Sequence, residues 1–387
     1  MQLTLKQLAS RRYIHSQSLW LLSGLASRLA QTMGLHREHG LKHLSPYDAE
    51  IRRRLWWQII ALDNRSAQLS GSTTEGDFSE SFDTRRPLNV HDSDLSRFMS
   101  ELPSEYDGPT DMLFCTVRLE IGDCMRKIKI IEKTTRGNPA TNLKQKEQAI
   151  DALETRIERI ISRCDSSIPV HLLTLFLGRS SICQKKLAIR HEAHQRDKES
   201  EVPEEEKDAL FDLALQIMLY DHLTYSTKAL RPYLWHVETY FPFQALFLLL
   251  TELIRRERSE KTNQAWTRVI EAYEDHTEML DDVKKPLHFA VGSFTLRAWE
   301  KRLASEDPKL RGNLASHPII VKLQAQRLAK PGGAMQLDTP QDMPMEITSS
   351  QFNMVQANYG MGPGELNHIL SDVNEMPWPD WQQFSGQ

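Results

Sequence analysis

Apolar residues recurring at three- and four-residue steps, segment after segment, constrain this chain more than any other feature. Leu22, Leu25, Leu29 and Met33 keep that step, Trp20 and Ala30 widen the stripe, and Gly34 closes it. This stripe is the expected core face of a first helix. Ser45-Pro46-Tyr47-Asp48 reads as the start of a second: a hydroxyl N-cap, proline at the first helical position and an acid in the first turn. Its apolar face is Ile51, Leu55, Ile59 and Leu62, and it is expected to end near Gly71. Gly71–Ser100 is rich in Ser, Asp and Thr without a period and reads as a long surface loop. Further amphipathic segments fall at roughly 110–135, 143–164, 168–195, 204–230, 238–258, 260–281 and 285–304. Turn chemistry at Gly137-Asn138-Pro139, Ile168-Pro169, Val202-Pro203 and Arg231-Pro232 separates several of them. No strand alternation of useful length competes. The expected fold is all-α, a multi-helix domain over 1–305.

The character changes near Lys330. The last 57 residues hold six of the 18 prolines and six of the 17 glycines. They contain no Lys or Arg, and they carry seven acids out of 52. Such a composition buries too little apolar surface to offset chain entropy, so 306–330 is expected to be a linker and 331–387 a disordered acidic tail. Leu366, Ile369, Leu370, Trp378, Trp381 and Phe384 stand among Asp372, Glu375 and Asp380. Acids interspersed with bulky apolar residues suit an activation segment that a coactivator groove receives. The formal charge of -4 leaves residues 1–330 at +3 once the seven tail acids are set aside. That is too little to supply the electrostatic term behind nucleic-acid affinity.

Signatures of catalysis and metal binding do not stand out. There is no GxGxxG, GxxxxGK[ST], GxSxG or HExxH, so no catalytic residue is assigned and the chain is not expected to be an enzyme. Cys115, Cys124, Cys164 and Cys183 are widely spread, and neither His36/His39/His43 nor His191/His194 has ligand partners at a known spacing. Reduced thiols and no metal are expected. The greasiest run, Phe241–Leu250, is about half the ~20 residues a membrane span requires, and the first residues lack the apolar run of a signal peptide. The string Arg52-Arg53-Arg54-Leu55-Trp56-Trp57 offers cations and stacking surfaces. On a helix, however, it is better explained by tryptophans wedged between helices and an arginine reaching an acid of a neighbouring helix. Arg53 and Trp57 are one turn apart, a spacing that lets a guanidinium lie over an indole.

Two strings carry a resemblance. Ser18–Glu38, ending Met33-Gly34-Leu35-His36-Arg37-Glu38, and Ser45–Asp63, containing Arg52-Arg53-Arg54-Leu55-Trp56-Trp57, resemble the fungal-specific transcription factor domain. This is the middle homology region of the fungal zinc binuclear cluster (Zn2Cys6) transcription factors. Phe82-Asp83-Thr84, Pro87-Leu88-Asn89-Val90, Asp92-Ser93-Asp94-Leu95 and Trp235-His236 through Leu246 extend the likeness over about residues 9–260, and more loosely to 305. The resemblance implies an all-α regulatory domain, a nuclear location, and control of RNA polymerase II genes, often those of secondary metabolism or catabolism. It singles out Gly34, Leu35, His36, Arg37, Arg53, Arg54, Trp56, Trp57 and Asp63 as motif residues. Family members carry six cysteines that bind two zinc ions and read DNA. No such cluster is seen here, so zinc and DNA contacts belong to the family, through an N-terminal module, and to no residue of this chain.

The expected function is therefore a pathway-specific transcription regulator, truncated relative to the family. Its partners would be the transcription machinery or a coactivator through the tail, and further family members through homo- or heterodimerisation. The alternative is an interaction or inhibitory protein that pairs with a complete family member and binds no DNA itself.

Overall fold

The computed structural model describes residues 16–69, 82–135, 139–196, 202–237, 241–281, 286–305 and 316–328. Among these residues there are α-helices and short 3-10 turns and no strand. The chain divides into two compact units, the first running to Ala245 and the second beginning at Leu246. The expected tail residues Leu366, Ile369, Leu370, Trp378, Trp381 and Phe384 lie outside the described residues.

The first unit contains α1 (Ser16–Thr32), α2 (Pro46–Leu69), α3 (Leu113–Thr134), α4 (Pro139–Ile161), α5 (Pro169–Arg196), α6 (Glu204–Ser226) and the short α7 (Leu234–Val237). Its largest core is a three-helix seam. Val117, Cys124, Ile128 and Ile131 of α3 meet Ile150, Leu153, Ile157 and Ile161 of α4, and Ile182 and Ile189 of α5 close the third side. The three- and four-residue steps of Ile150, Leu153, Ile157 and Ile161 place all four on one face. Cations on α5 pair with acids on α4 along the rim: Arg179 with Glu158, Lys186 with Glu154 and Arg190 with Glu147. Lys146, almost wholly buried, joins Glu132 of α3 at 2.7 Å and Glu192 of α5 at 3.1 Å. An ammonium in that position is tolerable because two carboxylates replace its water.

The remaining α-helices are α8 (Phe243–Arg255), α9 (Glu260–Asp275), α10 (Glu278–Asp281), α11 (Pro286–Ala304) and α12 (Pro318–Leu328). In the second unit, Trp266 and Trp299 meet edge to face at 4.8 Å, with the Arg302 guanidinium over both rings. The buried Tyr273 hydroxyl lies 2.8 Å from Thr295 Oγ1. A β-carbon at Gly292 would come within 3.1 Å of Leu323, so the glycine allows α11 and α12 their close approach. The expected helix over 260–281 is interrupted at His276, whose N–H still bonds Ala272 O before α10 begins. Within the stretch read as a linker, Pro318–Leu328 is a packed helix with Ile320 and Leu323 buried.

The first helix forms where expected, but its orientation is reversed. Leu22, Leu25, Leu29 and Met33 face solvent, while Leu19, Ser23, Ser27 and Ala30 face inward. The small inward residues let α1 lie close against α2, whose tryptophans supply the bulk. Gly71–Ser100 also differs from expectation in its described part: Thr84 and Val90 are buried, so 82–90 is a packed strap and not a free loop.

Candidate functional site

The motif residues converge where the turn after α1 meets the middle of α2. Gly34 adopts φ 75°, its N–H bonds Gln31 O, and the Leu35 N–H reaches back to Ala30 O. This is a Schellman ending, for which glycine has no steric penalty. Leu35 turns into the core beside Ala30, and His36 sets its ring 5.9 Å from Trp56. Arg37 is exposed, and Glu38 opens a one-turn 3-10 helix, Glu38–Leu41.

Trp56 is 0% exposed. Phe82 meets Trp56 at 5.6 Å and Trp57 at 5.2 Å, edge to face in both cases. The Trp57 indole N–H donates to Arg85 O at 2.9 Å. Neither ring is free to stack on a base. The guanidinium over Trp57 belongs to Arg126 of α3, at 5.5 Å, in place of the expected Arg53.

Arg53 and Arg54 bind acids, although these lie on α2 itself and in the connections and not on a neighbouring helix. Arg53 is paired with Glu38 and stands 3.6 Å from Glu50 of its own helix. Arg54 joins Glu50 at 3.2 Å and Asp92 at 2.5 Å. Glu50, fully buried, also accepts the Leu88 N–H at 3.0 Å. Glu38 accepts the Arg85 N–H at 3.0 Å, Asp83 Oδ1 accepts the Glu38 N–H at 2.8 Å, and Thr84 Oγ1 donates to Leu35 O at 2.7 Å. The strap is thus bound on both sides by the residues of the two motifs. Further along it, Asp111 accepts the Asp92 N–H and the His91 ring.

Burial and pairing move the carboxylates in opposite directions. Burial alone would raise Glu38, but the Arg53 and Arg85 bonds outweigh it and hold this carboxyl below its ordinary value. At Glu50 burial prevails over the Leu88 N–H and both arginines, so its pKa is raised. Asp63 is raised by burial as well, even though Ser23 Oγ donates to it at 2.7 Å and ties α1 to α2. Of the residues that carry this arrangement, Ser23, Glu38, Glu50, Phe82, Thr84 and Asp92 were not singled out as site residues in the sequence. All of them lie within the strings that carry the family resemblance, but only Glu50 left a signal of its own, its three- and four-residue spacing to Arg53 and Arg54.

A cavity of about 130 Å³ opens in the same unit among α3, α5, α6 and α7. Phe114, Leu177 and Val237 form its apolar walls, and Ser181, Gln184 and Asp221 contribute polar groups. It has room for an apolar group of ring size. Ser180 on its lining is bonded by Gln184 Nε2 at 3.1 Å. The thiols do not fit a zinc cluster. Cys115 accepts from Gln58 of α2, Cys124 bonds Ala149 O of α4, and Cys164 bonds Ile160 O at the end of its own helix. Burial raises the pKa of Cys124, Cys164 and Cys183, opposite to what a thiolate ligand requires. Among the described residues no three His, Cys, Asp or Glu side chains are grouped to hold a metal ion, and no helix is long and apolar enough to cross a membrane.

These features define a class: an all-helical domain whose motif residues lock a connecting strap onto a tryptophan-centred helix. The comparisons with known proteins are more specific. The model of the fungal specific transcription factor domain matches residues 3–218, and the chain belongs to that family. It is 35% identical, over 98% of its own length, to the aurofusarin cluster transcription factor aurR2 of Gibberella zeae, and covers 60% of that relative. It is 28% identical over 74% of its length to the transcriptional regulator AacuB of Aspergillus aculeatus, covering 39% of it. With the pyriculol/pyriculariol biosynthesis cluster transcription factor 1 of Pyricularia oryzae it shares 26% over 79% of its length, covering 42% of that protein. The chain therefore spans less than two thirds of the length of these relatives. No solved structure matches it.

Proposed function

We propose that this chain is the regulatory portion of a nuclear, pathway-specific transcription regulator controlling a fungal secondary-metabolite gene cluster. The observation that carries this reading is its 35% identity with a cluster transcription factor along 98% of the chain, inside a family of transcription factor domains. The strap lock supplies a rigid helical body. The acidic-aromatic segment 331–387 is proposed as the part that engages a coactivator. Zinc and DNA contacts are assigned to no residue of this chain, and none of its residues is assigned a catalytic role.

The test is a tethering experiment in a fungal host. Residues 1–387 and residues 331–387, each fused to a heterologous DNA-binding module, are expected to raise expression of a reporter. Alanine at Trp378, Trp381 and Phe384 should abolish the gain, whereas alanine at Gln351, Asn353 and Gln356 should preserve it. Equal activation by the aromatic triple variant would refute the activation segment. A chain that lowers the output of a co-expressed complete family member would favour the inhibitory alternative instead.

A further inference from the structure

The cavity among α3, α5, α6 and α7 matches a single aromatic ring in size. It measures about 130 Å³, and a cavity of roughly 150 Å³ is enough to hold benzene. Phe114 of α3 forms one wall and is braced edge to face by His236 of α7 at 5.3 Å. Arg118, one turn further along α3, and Ser181 of α5 also line the cavity, and both are half-buried. Among the described residues neither reaches a carboxylate or another hydrogen-bond partner, and the Arg118 guanidinium lies over the Phe114 ring at 5.7 Å. That sets Arg118 apart from its neighbours: Arg126 of α3, Arg156 of α4 and Arg179 of α5 all hold carboxylates.

We propose that this cavity is a binding site for a monocyclic aromatic carboxylate. Its ring would rest against Phe114, Leu177 and Val237, and its carboxylate would pair with Arg118, with the Ser181 hydroxyl a further donor on the lining. The charges on the lining select this ligand over three others. A neutral hydrocarbon fits the walls but strips water from the guanidinium and returns no partner for it. A cation is repelled by Arg118, while Asp221, the acid on the lining, is already engaged in an interaction of its own. A phosphate group is ordinarily held by several cations or a helix N-terminus, whereas Arg118 is the one Lys or Arg among the lining residues. A planar carboxylate, by contrast, accepts two parallel N–H bonds from a single guanidinium fork. The inference concerns binding alone, so it does not rest on the transcriptional reading and fails or stands separately from it.

A ligand-observed NMR titration of the 387-residue chain with benzoate, and in parallel with benzyl alcohol, tests it. Benzoate is expected to bind saturably with a Kd of about 0.1 mM, within the reach of so small a ligand. Benzyl alcohol, similar in shape but uncharged, should bind at least ~10-fold more weakly. Arg118→Gln should weaken benzoate at least ~10-fold and leave benzyl alcohol within about 3-fold, a split that a folding defect cannot produce. Arg118→Lys, which keeps the charge but loses the fork, should recover part of the loss. Ser181→Leu, which fills part of the cavity, should weaken both ligands, with circular dichroism and Tm checked against the parent. Arg159→Gln, at an exposed arginine outside the cavity, should bind benzoate as the parent does. The inference is overturned if benzoate shows no saturable binding up to roughly 5 mM, or if Arg118→Gln or Ser181→Leu binds it as tightly as the parent. Equal affinity for benzyl alcohol and benzoate would overturn the carboxylate and leave a site for a neutral ring.

Discussion

Trp56 and Trp57 are neighbours in sequence but bear on different contacts. Trp56 is sealed between His36 and Phe82, while Trp57 faces Phe82 and Arg126 and fixes the strap through its N–H. Either tryptophan changed to Ala should cost about 3–5 kcal/mol, read by urea denaturation of the purified chain. Ser23→Ala should cost about 1–3 kcal/mol by the same measurement, because Asp63 would stay buried without its hydroxyl donor. The two carboxylates titrate oppositely. Glu38, held low, contributes stability that is present above its unfolded value and lost as pH falls through the folded one. Asp63, held high, favours the protonated folded state, so its contribution is present at acid pH and lost as pH rises through its folded value. Asp63→Asn should therefore stabilise the chain at pH 7, and the gain should vanish below the carboxylate range. Burial of the tryptophan pair was legible in the sequence because helical spacing puts Trp56 in line with Ile60 and Asp63. The acids that Arg53 and Arg54 reach were not. Glu38 and Asp92 lie 15 and 38 residues away in segments without a period, and only the chain path brings them close.

At the scale of elements, periodicity located the helices well, since an apolar residue at every three or four positions, about one per turn, is what packs each of them in place. α2 begins at Pro46 and α11 ends at Ala304, as the pattern predicts. What a period does not encode is direction. It shows that α1 has an apolar face without saying whether that face looks at α2 or at solvent, and the small residues Ser23, Ser27 and Ala30 decide it. The strap was hidden for a different reason. Its packing rests on single residues, Phe82, Thr84 and Val90, whose spacing follows an extended chain with polar neighbours. If the strap is held by the two motifs, Thr84→Val should cost about 1–2 kcal/mol through the lost bond to Leu35 O. Glu38→Gln should speed amide hydrogen exchange at Arg85 while leaving the α4 amides protected. Equal acceleration across the whole first unit would show instead that strap and helices open as one.

At the scale of the whole molecule, charge is partitioned along the chain. All 48 basic residues precede Pro331, facing 45 of the 52 acids, and the other seven acids lie in the last 57 residues. The arginines of the motif strengthen the point, since Arg53 and Arg54 are consumed by Glu38, Glu50 and Asp92 and cannot reach phosphates without breaking the strap lock. Specific duplex binding draws much of its affinity from the release of counterions by several unpaired cations, with a salt slope near one per phosphate contacted. A body with a surplus of three positive charges and an acidic tail supplies little of that term. The purified 387-residue chain should accordingly show no footprint on duplex DNA in the presence of competitor at physiological salt. Weak binding at low salt should fall away as salt is raised, without sequence preference. A footprint that survives competitor, with Kd near the ~10⁻⁸ M usual for specific binders, would mean that this chain reads DNA through its own helices. The division of labour between a DNA-reading module and this domain would then be wrong.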